Sequence, residues 1–570
     1  MTAAASGMKA GPLKILILGG YGTFGGRLAQ LLADDARLTL IIAGRSRAKA
    51  EAFCAGLPAA ATLVPAAFDR DGDVERQLKA IAADTIVDVT GPFQAYGDDP
   101  YRVVKAALAL GVNYLDLSDG ADFVKGIAQF DDAARARGVF VLSGVSSFPV
   151  LTAAVVRALA AGMTRVDSVT GGIAPSPYAN VGLNVIRAIA SYAGKPVALR
   201  RDGRPAVGYG LVDTRRYTIA PPGRLPLYPT RFSLVDVPDL QLLPDLWPGL
   251  RSVWMGAGPV PEIWHRLLNA CAWLVRLRLL PSLSPFAGLM YRTINTLSWG
   301  EHRGGMFVAV AGDGPDGQRI ERSWHLLAEG EDGPFIPSMA AAAIVRHSLL
   351  GRTPAAGARA ATGELEVADY EALFAQRRIT TGRRQSLAAH EHMPLYQRLL
   401  GDAWSLLPEV VRTMHDLDAE LTADGMARVD RGNGVFARLA GWVMGFPPAG
   451  ENVPVSVTFR EQNGKEHWQR TFAGHRFASM QEAGRGRFER LLCERFGPLV
   501  IGMALVLEDN RMRLVVRRWS VLGIPLPLAL APRSNTYEFA EGGRFNFHVE
   551  IGHPFAGPIV AYRGWLVPRR

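Results

Sequence analysis

A glycine turn near the start constrains this chain more than any other feature. The apolar run Leu13 to Leu18 passes directly into Gly19-Gly20-Tyr21-Gly22-Thr23-Phe24-Gly25-Gly26, and Leu28, Leu31 and Leu32 follow at helical spacing. That pattern predicts a strand, a tight turn and a helix. Glycine at positions 19, 22 and 25 lets the backbone turn sharply and leaves room for a pyrophosphate. The free N–H groups of the new helix, at Thr23 and Phe24, and the helix dipole would hold its oxygens.

The second apolar run, Leu38 to Ala43, ends in Gly44-Arg45-Ser46, where an NAD site usually carries a carboxylate for the ribose hydroxyls. A guanidinium beside a hydroxyl suits a 2′-phosphate instead, so Arg45 and Ser46 point to NADP, an exposed surface charge being the alternative for Arg45. Ala61 to Phe68, ending in Asp69, and Thr85 to Thr90, ending in Gly91-Pro92-Phe93, continue a β/α alternation that builds a parallel sheet. Asp69 is expected beside the adenine and Thr90, Gly91 and Pro92 beside the nicotinamide ribose, with ordinary turn chemistry as the alternative for each. A helix from Tyr101 to Leu110, a strand beginning at Asn113 and another from Val139 to Leu142 complete the sheet by about residue 145. The expected class is α/β: a Rossmann-type NADP domain over 1–150, an α+β substrate or dimerisation domain over 151–385, and a β-rich accessory domain over 390–570.

In this order, GGYGTFGG, AGRS, VDVTGPFQAYG and NYLDLSD resemble the NADP-binding domain of saccharopine dehydrogenase-like oxidoreductases. The resemblance covers residues 12 to 155 and thins from 156 to about 380, where SWHLLAEGEDGPFIPSMAAAAIVRHSLLG resembles the segment that returns to the first domain. From His392 to Trp565 the chain resembles a separate bacterial domain of uncharacterised function. The family implies a dinucleotide fold and redox chemistry, but it spans amino-acid reductases, lipid enoyl reductases and members without known activity, so substrate does not carry over. Many relatives end the fifth strand in Asp-Leu-Thr-Gly-Glu, whereas this chain has Asp116-Leu117-Ser118-Asp119-Gly120, which displaces a carboxylate.

An oxidoreductase of this kind would move a hydride to or from a carbonyl, imine or activated alkene and needs a proton donor close by. Tyr96 is the leading donor, with Asp116 and Ser118 to orient it; a ring merely packed beneath the cofactor is the structural alternative. A non-catalytic protein that holds NADP and lipid is the alternative from another class.

Residues 1 to 150 hold 15 Lys and Arg against 16 Asp and Glu, so the formal charge of +10 resides in the later two-thirds. That favours anionic ligands or membrane surfaces; nucleic acid is not expected, because no zinc-finger spacing and no clustered basic helix occurs. Residues 263–290 combine Trp264, Trp273 and many leucines with Arg266, Arg276 and Arg278. They read as a helix lying on a membrane or as a homodimer or domain interface. Three scattered cysteines suit a reducing compartment, and MTAAASGMKAGPLK lacks a secretory core, so a cytoplasmic location, peripheral at the inner membrane surface, is expected. The uncharged stretch from Gly138 to Val156 is broken by Ser, Gly and Pro and is no span.

Residues 351 to 390 read as a polar connector. Beyond them, antiparallel strands near 454–459, 467–472, 499–507, 511–521, 536–539, 544–551 and 558–567 suggest a curved sheet or partial barrel able to hold an apolar ligand. His467, His475, His548 and His553 lack metal spacing, so no metal site is expected. His467 and His475 would face each other only if their strands pair.

Overall fold

The computed structural model describes residues 11–259, 261–296, 299–387, 393–417 and 419–569. The first ten residues, on which the reading of the N-terminus rests, and His392 lie outside them. The chain divides into two compact units: residues 1–216, 231–317 and 327–380 form one, and residues 217–230, 318–326 and 381–570 form the other.

In the first unit, β1 (Leu13–Leu18), β2 (Leu38–Gly44), β3 (Thr62–Ala67), β4 (Thr85–Asp88), β5 (Asn113–Asp116) and β6 (Phe140–Ser143) alternate with helices. Among these are α1 (Thr23–Leu32), α2 (Arg47–Gly56), α3 (Val74–Ile81) and α4 (Arg102–Leu110). All pairings are parallel and the order is β6-β5-β4-β1-β2-β3. Ile15, Leu16, Ile17 and Leu18 are wholly buried, as expected for a central parallel strand covered on both faces. The sheet is not complete by residue 145. A seventh strand, Gly357–Ala360, pairs in parallel with β6. The chain is led back by the helix Ile336–Leu349, which packs on α1: Ser338 Oγ donates to Phe24 O at 2.9 Å, and Arg346 Nη2 donates to Leu31 O and Asp34 Oδ1, each at 2.8 Å. Residues 351–390 are therefore no simple connector; they hold this strand, the helix Val367–Phe374 and the strand Ile379–Leu387.

The stretch from Gly138 to Val156 forms β6, a loop, the turn Ser147–Leu151 and the start of the helix Thr152–Ala160. No helix among the described residues is long and apolar enough to cross a membrane.

The helices Glu262–Arg276 and Ala287–Thr296 cover the expected surface segment. The first packs Ala272 and Val275, with Leu268 beside them, into an apolar cluster. Its inner face buries His265, whose Nε2 lies 2.6 Å from Ser233 Oγ, and Asn269, which donates to Leu211 O at 2.7 Å. Its outer face leaves Ile263, Leu267, Trp273 and Leu274 exposed, and Leu277, Leu279, Phe286 and Leu289 continue the exposed surface.

The second unit is built on a ten-stranded antiparallel barrel. Glu420–Arg431 lies between Gly450–Gln462 and Gly557–Pro568, and pairing of Leu499–Glu508 with Arg511–Val521 closes the ring. The barrel is thus complete rather than partial. Strands Lys465–Phe472 and His475–Ala483 do pair, but the register sets His467 against Met480 and His475 against Phe472. The two histidines do not meet.

Candidate functional site at the carboxyl ends of the first sheet

In a sheet with β1 between β4 and β2, the topological switch point falls between β1 and β4, and ligands enter the crevice beyond those strand ends. The turn after β1 fits a diphosphate. Gly19 sits at φ +77°, and a Cβ there would lie 3.0 Å from Val89 O. A Cβ on Gly25 would overlap the Gly19 carbonyl, so the helix can start this close to the strand only with glycine at both positions. Gly22 caps α1 without any side-chain hydrogen bond, which leaves the first-turn N–H groups, including those of Thr23 and Phe24, free of a capping side chain.

Tyr21 bridges this turn to the end of β2. Its hydroxyl accepts from Ser46 N at 3.0 Å, and its ring occupies the space where a Cβ on Gly44 would stand. Ser46 Oγ accepts from Lys49 N at 3.3 Å and so caps α2, while Arg45 is exposed and among the described residues pairs with no carboxylate. Asp69 is exposed and closes its own turn by accepting from Asp71 N at 3.1 Å.

The turn after β4 is organised by Asp88, which in sequence is indistinguishable from the rest of its strand. Its Oδ1 accepts from Thr90 N at 3.0 Å and Thr90 Oγ1 at 2.6 Å, while Oδ2 is buried without a partner among the described residues. Thr90 Oγ1 lies 2.5 Å from the Tyr96 hydroxyl, so Asp88, Thr90 and Tyr96 form one hydrogen-bonded chain. Burial pushes Asp88 above the ordinary carboxylate range against the pull of Thr90. Burial, reinforced by the Asp88 charge, holds Tyr96 well above the ordinary phenol range. The Tyr96 ring is clamped between the Arg70 guanidinium, 3.1 Å from its centroid, and Phe93 at 4.7 Å. From the middle of the chain, Asn184 Nδ2 donates to Gly91 O at 2.7 Å, and Gly182 stands where a Cβ would lie 2.9 Å from Thr23 Oγ1. Pro92 follows in the same half-buried turn.

Asp116 lies beside Asp88, in register across β4 and β5. It is fully buried; Oδ1 accepts from Ser118 N at 3.0 Å and from Ser143 Oγ and Gly144 N at 2.9 Å each. Its Oδ2 has no hydrogen-bond partner among the described residues, and burial raises its pKa to about 7. Ser118 is equally buried and accepts from Gly120 N at 3.2 Å. Neither forms a hydrogen bond with Tyr96; Thr90 and Asp88 orient that hydroxyl instead. The displaced Asp119 accepts from Gln94 Nε2 at 3.0 Å, which ties the fifth-strand turn to the segment carrying Tyr96.

Residues 15–142 match the family described as the saccharopine dehydrogenase NADP binding domain, and residues 407–566 match a domain of unknown function, DUF4166. No curated protein matches the chain. Among solved structures it is similar to saccharopine dehydrogenase (L-Glu forming) from Saccharomyces cerevisiae, at 14% identity and a TM-score of 0.46, over 66% of this chain and 100% of that one. It is also similar to biliverdin reductase from Synechocystis sp., at 12% identity and a TM-score of 0.29, over 60% and 92%. Likenesses this distant add nothing to the sequence match. The glycine cradle and the matched family agree: the chain carries at its N-terminus a saccharopine dehydrogenase-type NADP-binding domain, the nucleotide domain of an oxidoreductase.

Proposed function

We propose that the chain is an NADP-dependent oxidoreductase that moves a hydride to or from a carbonyl, imine or activated alkene of an apolar, lipid-like substrate. One observation carries the reading: the glycine cradle and the Asp88–Thr90–Tyr96 chain border the same crevice, since a Cβ on Gly19 would touch the backbone at Val89 and Thr90. Bound NADPH would supply the hydride.

The residues around it divide the remaining work. First-turn N–H groups at Thr23 and Phe24 take the diphosphate, and Arg45 takes the 2′-phosphate as a bidentate, always charged fork. Thr90, Gly91 and Pro92 shape the floor, with Asn184 fixing two of their carbonyls. Tyr96, protonated at neutral pH, gives its proton to the developing anion, and Thr90 Oγ1, itself held by Asp88, orients the hydroxyl. Asp116 and Ser118 act as positioning residues that hold the turns after β5 and β6.

Calorimetry with NADPH tests the binding half: micromolar affinity is expected, and no heat at millimolar nucleotide refutes it. Turnover is tested by loss of the reduced nicotinamide absorbance with apolar ketone and enoyl substrates. Binding without turnover on any of them would favour a protein that only holds the nucleotide.

The lipid-like substrate is supported by the outer face of this helix. Glu262–Arg276 packs Ala272 and Val275 inward beside His265 and Asn269, yet it leaves Ile263, Leu267, Trp273 and Leu274 exposed. Between Ile263 and Thr296 there is no acidic residue, while Arg266, Arg276, Arg278 and Arg292 are present. Apolar side chains with arginines and no acid complement an anionic bilayer surface, so this face would rest on the headgroups of the membrane. The protein should sediment with phosphatidylcholine vesicles containing phosphatidylglycerol, less with pure phosphatidylcholine, and a Leu267→Glu/Leu277→Glu variant should lose at least tenfold in partitioning. Failure to sediment, or a dimer that the same variant dissociates, makes the face a protein interface instead.

A further inference from the structure

Eight-stranded barrels have interiors that side chains just fill, and width grows with strand number. A closed ring of ten strands therefore leaves room, and here a cavity of about 110 Å³ remains inside it. It is walled chiefly by Phe459, Phe472, Leu514, Phe547 and Val549. A largely apolar cavity of this order is large enough for a small aromatic molecule.

Polar groups enter the wall on one side. Arg470 and Glu494 are both largely buried and pair at 3.1 Å, with Ser479 Oγ donating to Glu494 at 2.6 Å and accepting from Arg470 at 2.8 Å. Their charges cancel, so the wall offers no net field for an ion. Glu538 is engaged with His415 Nε2 at 2.6 Å. Gln481 differs. It is 1% exposed, and its Oε1 accepts from the Tyr396 hydroxyl at 2.9 Å. Among the described residues its amide Nε2 has no hydrogen-bond partner, although Gln481 lines the cavity. With Oε1 held by Tyr396, the amide N–H₂ is left to donate to a molecule in the cavity that Gln481 lines.

We propose that the barrel binds a neutral, largely apolar carbonyl compound, its ring or short chain in the aromatic chamber and its carbonyl oxygen accepting from the Gln481 amide. A carboxylate would bring an unpaired charge into a space where Arg470 is already paired with Glu494, and is excluded. The site is independent of the nucleotide crevice, so its test needs no NADP.

The probes are acetophenone, ethylbenzene, which has the same shape without an acceptor, and benzoate, each titrated into the full chain by calorimetry. Acetophenone should bind about tenfold more tightly than ethylbenzene, the worth of one buried hydrogen bond, and benzoate should not bind. Val549→Phe, which fills the chamber, should abolish binding of both neutral probes and so locate them in the barrel. A Gln481→Leu/Tyr396→Phe double variant removes both partners and strands neither; it should still take ethylbenzene but bring the ratio close to one. The proposal is overturned if neither neutral probe binds at millimolar concentration, if Val549→Phe leaves binding intact, if benzoate binds as well as acetophenone, or if the double variant keeps the preference.

Discussion

Replacing Asp116 by Asn should reduce the dependence of the first unit's stability on pH. In the fold Asp116 is buried, has one oxygen without a hydrogen-bond partner among the described residues, and lies in register with a second buried carboxylate, Asp88. Burial is the larger cause and Asp88 a lesser one of a pKa of about 7, while an unfolded aspartate titrates near 4. The folded value lies above the unfolded one, so between them the folded state binds more protons. The full stability is present below about pH 4, is lost as pH rises towards 7, and changes no further above it. At about 1.4 kcal/mol per pH unit, a window of about three units caps the loss at about 4 kcal/mol, and relaxation around the ionised group brings the expectation to about 2–4 kcal/mol. Asn keeps an acceptor for Ser118 N, Ser143 Oγ and Gly144 N but cannot ionise. Its new amide N–H₂ costs stability by an amount independent of pH.

The assay is urea unfolding from pH 4.5 to 8, read by pulsed hydrogen exchange in peptides covering residues 113–145, so that the first unit is followed separately from the barrel. With a slope of about 2 kcal/mol per molar, the wild-type midpoint should fall by about 1–2 M more across the range than the variant's, whose remaining slope comes from Asp239, likewise raised to about 7 by burial, and from Asp88. Parallel curves would refute the reasoning. A slope that survives Asp116→Asn in full but falls in Asp88→Asn would show that the proton is held on the neighbouring strand.

The nucleotide crevice yields three further expectations. Gly25→Ala places a methyl against the Gly19 carbonyl and should lower NADPH affinity at least a hundredfold by calorimetry, while far-ultraviolet circular dichroism stays unchanged. Arg45 is exposed, so Arg45→Ala should not alter stability; it should remove about 1.5–3 kcal/mol of NADP binding, tenfold to a hundredfold, and leave NAD affinity as it was. Tyr96→Phe keeps the ring beneath Arg70 and beside Phe93 but removes the hydroxyl; kcat should fall by about 10²–10⁴ with KM little changed, and an unaltered kcat would reduce Tyr96 to a packing role.

Most of the first sheet was legible because parallel strands covered on both faces are written as continuous apolar runs, LKILIL being the clearest, and because the glycine turn has few other uses. What escaped has physical reasons. The seventh strand, Gly357–Ala360, is four residues long and reads GARA, with no periodicity to mark it; it exists because the helix Ile336–Leu349 is docked on α1 and delivers the chain to the open edge of β6. Asp88 was hidden inside VDVT, since nothing in an apolar tetrad tells that its acid points into the turn rather than to solvent. Tyr21 and Asn184 act through contacts with residues distant in sequence, and only the folded chain brings them to the crevice.

The barrel shows the same limit more sharply. Its hairpins are locally encoded: Asp509 and Asn510 both take positive φ, the two-residue turn that joins Leu499–Glu508 to Arg511–Val521. A run of such hairpins specifies a sheet but not a ring. The sheet can close only because Glu420–Arg431 pairs on one side with Gly450–Gln462 and on the other with Gly557–Pro568. That first strand reads ELTADGMARVDR, with scattered polar residues, a glycine whose Cβ would strike the Trp565 carbonyl, and a register shift between Ala427 and Val429. Its strand character comes from neighbours on both sides rather than from its own propensities. With that segment and the strands His475–Ala483 and Leu492–Phe496 unread, a sequence-based account ends in an open, curved sheet. With all three in place the ring closes around the cavity that Gln481 lines.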